Sequence, residues 1–108
     1  MDANQYQNET LDVAIYPEAG TGSDLELYYL AMGLASEAGE VAGKVKKLLR
    51  DDVLNQGDLA YELGDCIWYI ARMSDAIGYS LSDIMKINNS KLNKRKEANV
   101  LSGSGDHR

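Results

Sequence analysis

The sequence lacks the features that mark several common classes of protein. It has one cysteine in 108 residues, Cys66, so no disulfide can form within the chain. No apolar run approaches the roughly 20 residues that a transmembrane helix needs. The first residues show neither the basic nor the apolar part of a secretion signal. These absences predict a soluble, intracellular protein without a membrane partner, and we expect it in the cytoplasm.

Basic residues are also scarce. Lys and Arg number 11 against 17 Asp and Glu, which gives a formal net charge of -6. A protein that binds a phosphate backbone over a long footprint needs the opposite balance of charge. We therefore expect no nucleic-acid partner.

The first half of the chain has the apolar spacing of two helices. This spacing predicts a first helix between residues 4 and 15, and Pro17 with the glycines after it predicts a loop. Ser23 and Glu26 fit a capping box, in which each side chain covers exposed N–H groups at the start of a helix. We expect a long second helix to begin there and to reach the charged break at residues 50–52.

The second half predicts two more helices. Asn55 or Asp58 is a suitable N-cap for a third helix that runs to Ala76. Ser80 or Ser82 is suitable for a fourth helix, which ends in a basic run. No strand pattern, internal repeat or domain linker separates these stretches, so the fold class is predicted to be all-α.

The chain has room for one domain, 1–108, built as a bundle of about four helices. A core of this size is modest, and we expect oligomerisation to complete the bundle. Residues 99–108 are polar and glycine-rich, which predicts an irregular tail that is mobile unless a ligand or a neighbouring subunit orders it. His107, in this tail, is predicted to be a solvated surface residue.

Two carboxylate pairs are the most informative feature of the sequence. Glu37 and Glu40 lie three residues apart in the second predicted helix, and Glu62 and Asp65 have the same spacing in the third. Residues at this spacing share a helix face, so packing of the two helices would bring four carboxylates together. Four carboxylates in one place repel one another unless a cation compensates their charge. Their oxygen atoms are ligands that suit Mg²⁺ or Mn²⁺. A metal site of this kind favours a substrate that carries phosphates.

Each pair alone also has an ordinary interpretation. Paired acidic residues are common on solvated helices, and Glu40 with Lys44 has the spacing of a surface ion pair. A non-catalytic helical interaction module, stabilised by metal, is therefore an alternative to an enzyme.

Several segments together resemble a known family. The blocks 33–44 and 62–69, which contain the two acidic pairs, resemble the signature of the MazG-type nucleotide pyrophosphohydrolases, in the all-α NTP pyrophosphatase superfamily. Four further segments are similar to the short single-domain members, including phage-encoded ones: Tyr6-Gln7, Tyr16-Pro17, 88–95 and 103–108. One departure is Ser36, where many members of the family carry another Glu.

The resemblance implies helical subunits that pair, as dimers or as tetramers built from two dimers. It implies Mg²⁺- or Mn²⁺-dependent hydrolysis of a nucleoside triphosphate to a monophosphate and pyrophosphate, with two or more ions per site, in the cytoplasm of the host if the gene belongs to a phage. Carried over by position, the metal ligands are Glu37, Glu40, Glu62 and Asp65. Glu37 is our choice for the catalytic carboxylate that orients the attacking water or accepts its proton.

Three polar residues of the fourth predicted helix and one lysine of the second are candidate phosphate ligands. Asn88, Lys91 and Arg95 share one helix face, and Lys44 lies on the flank of the first acidic pair. A solvated basic face near a helix C-terminus is the alternative, because the helix dipole favours cations there.

Base recognition is the least determined part of the site. Gln7 and Asp12 are candidate acceptors for the donors of guanine, and Tyr69 is a candidate for stacking on a base. Similarity to short phage enzymes favours (d)GTP as substrate. Phosphoribosyl-ATP pyrophosphohydrolase, which shares the helical acidic arrangement, is the alternative within the fold. Attack at the α- or the β-phosphorus gives the same products, so the sequence leaves both open.

Overall fold

The structure is a computed structural model that describes residues 1–106. Helix α1 spans Ala3–Thr10 and continues into a 3₁₀ turn at Leu11–Val13, α2 spans Asp24–Asp51, α3 spans Gln56–Ala76 and α4 spans Leu81–Glu97. The part of the chain that the structure describes contains no strand, so the all-α prediction is confirmed. Within this part, no helix has both the length and the apolar character that crossing a membrane requires.

The predicted N-caps are present at the start of three helices. Ser23 accepts a hydrogen bond from the Glu26 backbone at the start of α2, at 3.2 Å. Asn55 does the same for α3 and Ser80 for α4, at 3.0 and 3.1 Å. These caps satisfy N–H groups that have no partner within the helix, and they fix where each helix begins.

Helices α2 and α3 form the main helix pair. Residues 52–55 join them, and Asp52 ends α2 in the left-handed region at φ 57°. The two helices pack against each other along their length, while α1 packs on α3 and α4. Three of the four predicted acidic residues, Glu37, Glu62 and Asp65, come together where these two helices meet.

Gln7 holds α1 to the rest of the chain. Its side chain is buried, and its amide nitrogen donates to the backbone oxygens of Ala71 and Tyr79 at 3.2 and 3.1 Å. Its amide oxygen accepts from the backbone N–H of Leu81 at 2.9 Å. One side chain therefore joins α1 to α3 and to the start of α4.

Glu26 and Arg72 lie at the centre of a buried polar network. The Glu26 carboxylate accepts from the Tyr16 hydroxyl at 2.6 Å and from the backbone N–H groups of Gly20 and Gly22 at 2.7 and 2.8 Å. Glu26 does not complete the predicted capping box, because its carboxylate binds this preceding loop. The Arg72 guanidinium contacts the Tyr16 hydroxyl at 3.4 Å and also binds Thr10 and Asp75. The network fixes the loop of residues 14–22 over the ends of α2 and α3.

The apolar core is small. Among residues 1–106, the buried apolar side chains are Tyr16, Leu30, Ala71 and Leu81. Many large apolar side chains are exposed, with Ile15 at 96% and Leu49 at 91%. The radius of gyration is 16.3 Å, against about 13 Å for a compact domain of this length. One chain therefore leaves much apolar surface in contact with water.

The last described residues form turns that fold back on α4. The backbone N–H of Val100 donates to the Arg95 oxygen at 2.9 Å, and Asn99 and Gly105 both have positive φ, at 58° and 82°. These turns return the chain to the side chains of α4. His107 lies outside the described residues.

Candidate metal centre

A close approach of α2 and α3 positions the candidate site. Gly33 on α2 lies against the ring of Tyr69 on α3, and a Cβ atom at position 33 would overlap that ring. Tyr69 also packs edge-on against Trp68, with ring centroids 5.1 Å apart. The absence of a side chain at position 33 therefore allows the two helix backbones to come together at this level.

Three carboxylates meet one helical turn from this contact. Glu37 follows Gly33 by one turn on α2, and Asp65 precedes Tyr69 by one turn on α3. Glu37, Glu62 and Asp65 each offer one oxygen, and these three oxygens all lie within 4.8 Å of one another. Glu37 and Glu62 are half-buried and Asp65 is exposed. The structure thus brings together three of the four residues that the sequence predicts as ligands.

Glu40, the fourth predicted ligand, lies outside this group of three. Its side chain is exposed on α2, one turn beyond Glu37. Its charge still acts on Glu37, since it is one of those that raise the pKa of that carboxyl. Glu40 therefore lies at the rim of the cluster.

The cluster carries uncompensated negative charge. Partial burial, a hydrogen bond with Glu62 and the charges of Asp65 and Glu62 raise the pKa of Glu37 above its usual value. The charge of Asp65 also acts on the neighbouring Tyr6, since burial and this charge raise the pKa of the Tyr6 hydroxyl. Among the described residues, no Lys or Arg forms an ion pair with the three carboxylates.

The three carboxylates fit a hard divalent cation. Oxygens around an octahedral Mg²⁺ at about 2.1 Å lie roughly 3.0 to 4.2 Å apart. The three oxygens here lie within 4.8 Å of one another, which is close to that spacing. An all-oxygen set at a partly exposed position also leaves room for water and phosphate ligands.

The predicted phosphate ligands lie in two other places. Lys44 lines a shallow pocket of about 140 Å³ near the turn between α2 and α3, together with Lys47 and Asp58. Asn88 is exposed on α4, and Lys91 and Arg95 both bind Asp106. None of these four predicted ligands forms a hydrogen bond or ion pair with the carboxylate cluster within residues 1–106.

Tyr69 is the one predicted base ligand that lies near the cluster. Burial, Tyr29 and the charges of Glu37 and Asp65 raise the pKa of its hydroxyl. Asp12 is exposed on the 3₁₀ turn. Gln7 is buried, with both ends of its amide bonded to backbone groups. The chain therefore uses Gln7 to hold its helices together.

Sequence reasoning missed Tyr6 as a neighbour of the site. Tyr6 lines a cleft of about 410 Å³ together with Gly64 and Asp65. Tyr6 and Gly64 also line a larger apolar cleft of about 580 Å³, along with Ile67 and Met85. Only the packing of α1 onto α3 brings Tyr6 there, and no local pattern in the sequence reports that packing.

Comparisons with known proteins identify the family. Residues 27–100, more than half of the chain, match the model of the MazG nucleotide pyrophosphohydrolase domain. The gene 37 protein of Mycobacterium phage L5 is 46% identical over 114 residues, and the alignment covers the whole of both chains. No solved structure matches the chain. The resemblance seen in the sequence is thus confirmed, and this chain belongs to the MazG nucleotide pyrophosphohydrolase family, as a short single-domain member similar to a phage protein.

Proposed function

We propose that this protein is a metal-dependent nucleoside triphosphate pyrophosphohydrolase. It converts a (d)NTP, with (d)GTP as the first candidate, to the monophosphate and pyrophosphate. Membership of the MazG family supports nucleotide pyrophosphohydrolase activity in general. The observation that carries the metal dependence is the convergence of Glu37, Glu62 and Asp65 without a compensating cation among the described residues.

In this proposal the carboxylates hold two or more Mg²⁺ or Mn²⁺ ions, with Glu40 contributing from the rim. The ions would neutralise the charge that develops on the phosphate oxygens. Glu37 is half-buried between the other carboxylates. Its proposed role is to orient the attacking water and to accept its proton.

Contacts to the rest of the nucleotide come from other elements. Lys44, Asn88, Lys91 and Arg95 are the proposed phosphate ligands, because Lys44 follows the first acidic pair on α2 and the other three share one face of α4. Tyr69 is the proposed base contact nearest the cluster, since its ring lies on the same helix pair.

A second copy of the chain is the proposed partner that completes the site, as a dimer or as a tetramer of two dimers. The small core and the extended shape of one chain support this, because such exposed apolar surface favours association. Light scattering at micromolar concentration tests it. A stable species of 11.9 kDa would contradict the proposal.

A substrate panel tests the activity. All eight common NTPs and dNTPs, together with phosphoribosyl-ATP, are incubated with Mg²⁺ and, in parallel, with excess EDTA, and pyrophosphate and monophosphate are measured. We expect release of both products from at least one nucleotide, and only with metal. Reaction in H₂¹⁸O locates the attack, because attack at the α-phosphorus labels the monophosphate and attack at the β-phosphorus labels pyrophosphate.

Two results of the panel would replace the proposal. Hydrolysis of phosphoribosyl-ATP alone would indicate the related enzyme of histidine biosynthesis. No hydrolysis by folded, metal-loaded protein would leave the metal-stabilised interaction module. The proposed place of action is the cytoplasm of a phage host, which the similarity to a phage protein supports.

A further inference from the structure

Two cations of α4 share one carboxylate oxygen. Lys91 and Arg95 lie one helical turn apart, and both bind Oδ1 of Asp106, at 3.0 and 3.3 Å. The guanidinium of Arg95 also donates to the backbone oxygen of Gly105 at 3.0 Å. An anionic oxygen thus lies between an ammonium and a guanidinium, which is the arrangement of an anion-binding site.

Burial differs sharply between the two sides of this contact. The Arg95 side chain is 6% exposed, whereas the Asp106 side chain is 75% exposed. Hydrogen bonds from the Lys91 ammonium and, to a lesser extent, from the Arg95 guanidinium lower the pKa of Asp106 below its usual value. Asp106 is therefore ionised near neutral pH, and it is held from one side while water solvates the other.

The contact between Lys91 and Asp106 is open to solvent. The side chains are 36% and 75% exposed, so a competing anion can reach the Lys91 ammonium from the water side. A triphosphate carries several negative charges and many acceptor oxygens, and Arg binds phosphate oxygens through two parallel hydrogen bonds. A phosphate chain is therefore a stronger ligand for Lys91 and Arg95 than a single carboxylate.

We propose that Asp106 occupies a phosphate subsite formed by Lys91 and Arg95, and that the triphosphate of the substrate displaces it. Asp106 then covers this subsite in the free protein and leaves it when the nucleotide binds. The inference rests on the proposed function, since it takes the ligand of the pair to be the triphosphate of that substrate. Its experiment requires no hydrolysis.

Binding of tripolyphosphate to the full chain, measured by calorimetry without metal, tests the competition. Asp106→Asn removes the competing charge and keeps the shape, so we expect affinity to rise about threefold to tenfold. Glu97→Gln is the matched control, because it removes one negative charge from the same end of α4, and we expect a change below about twofold. Lys91→Met should weaken binding by about tenfold or more.

The amide NMR signals of Gly103 and Gly105 test the displacement directly. Saturating tripolyphosphate should move them to the positions that they have in Asp106→Asn, and NaCl at matched ionic strength should not. Unchanged Gly105 signals at saturation, or equal affinities for Asp106→Asn and Glu97→Gln, would overturn the inference. If the competition is seen but no nucleotide is hydrolysed, the proposed function fails and the phosphate subsite remains.

Discussion

Glu26 and Glu37 lie 11 residues apart on the same helix, and their surroundings are opposite. Burial disfavours the charge of Glu26, but hydrogen bonds from Tyr16, Gly20 and Gly22 outweigh it and lower its pKa. For Glu37, burial and neighbouring carboxylates act in the same direction and raise the pKa. Glu26 has a donor for each of its oxygens, whereas Glu37 faces other acceptors.

The difference separates a structural carboxylate from a candidate metal ligand. A fully hydrogen-bonded buried charge stabilises the conformation around it, and its removal leaves partners without a bond. Like charges that are held together lower the stability of the free protein. We therefore expect a cluster of this kind to bind a cation. On this basis we assign Glu26 to the fold and propose Glu37 for the metal.

Loss of a proposed metal ligand is expected to have the largest effect. Asp65→Asn keeps the shape of the side chain but removes its charge, so we expect kcat to fall by at least about 1000-fold, or roughly 4 kcal/mol of activation free energy. Glu9→Gln, on the exposed face of α1, is the matched control and should stay within a few fold. Normal turnover by Asp65→Asn would mean that the site is assigned to the wrong residues.

Loss of the structural carboxylate should lower stability instead. Glu26→Gln removes the buried charge that accepts hydrogen bonds from Tyr16, Gly20 and Gly22, and we expect a loss of about 3 kcal/mol in the free energy of unfolding. Urea unfolding measures it, with Asp24→Asn on the exposed side of the same helix start as control. Unchanged stability would remove the distinction between the two carboxylates.

The close contact of α2 and α3 can be tested with two glycines of one helix. Gly33→Ala places a methyl group against the ring of Tyr69, so we expect a loss of roughly 1 to 3 kcal/mol. Gly39→Ala meets nothing within 4 Å, and we expect a gain of about 0.5 to 1 kcal/mol from helix propensity. Equal effects on stability would show that the helices do not depend on close approach at position 33.

The pH dependence of stability should also differ between the two carboxylates. The raised pKa of Glu37 gives stability at low pH that is lost as the pH rises through that pKa. The lowered pKa of Glu26 gives stability near neutral pH that is lost as the pH falls through it. In EDTA, Glu37→Gln should therefore be more stable than the wild type at pH 8, and the difference should shrink at pH 4. The same difference at both pH values would contradict the pKa shift of Glu37.

Local patterns predicted the helices and most of their ends. Ser23, Asn55 and Ser80 act within three residues of themselves, so the sequence contains the whole of each cap. The first helix was predicted too long, because α1 gives way to a 3₁₀ turn at Leu11. Ile15, at the predicted end of that first helix, is almost fully exposed.

Contacts made by the folded loop before α2, and contacts between distant segments, could not be predicted from the sequence. Glu26 has the spacing of a capping residue, and only the folded loop shows that its carboxylate binds Gly20 and Gly22. Gln7 looked like a free acceptor, but it bonds to backbone groups more than 60 residues away. The acidic cluster was predictable because each pair of acidic residues has a spacing that places it on one helix face. The two pairs then meet if the two helices pack together.

Thermal unfolding with and without Mg²⁺ is the most direct test of the metal centre. At a fixed protein concentration, saturating Mg²⁺ should raise the Tm of the wild type, since a ligand at 100 times its Kd adds about 2.7 kcal/mol. For Asp65→Asn, we expect a higher Tm than the wild type in EDTA and little further rise with Mg²⁺. If Mg²⁺ stabilises Asp65→Asn as much as the wild type, the carboxylate cluster is not the metal site.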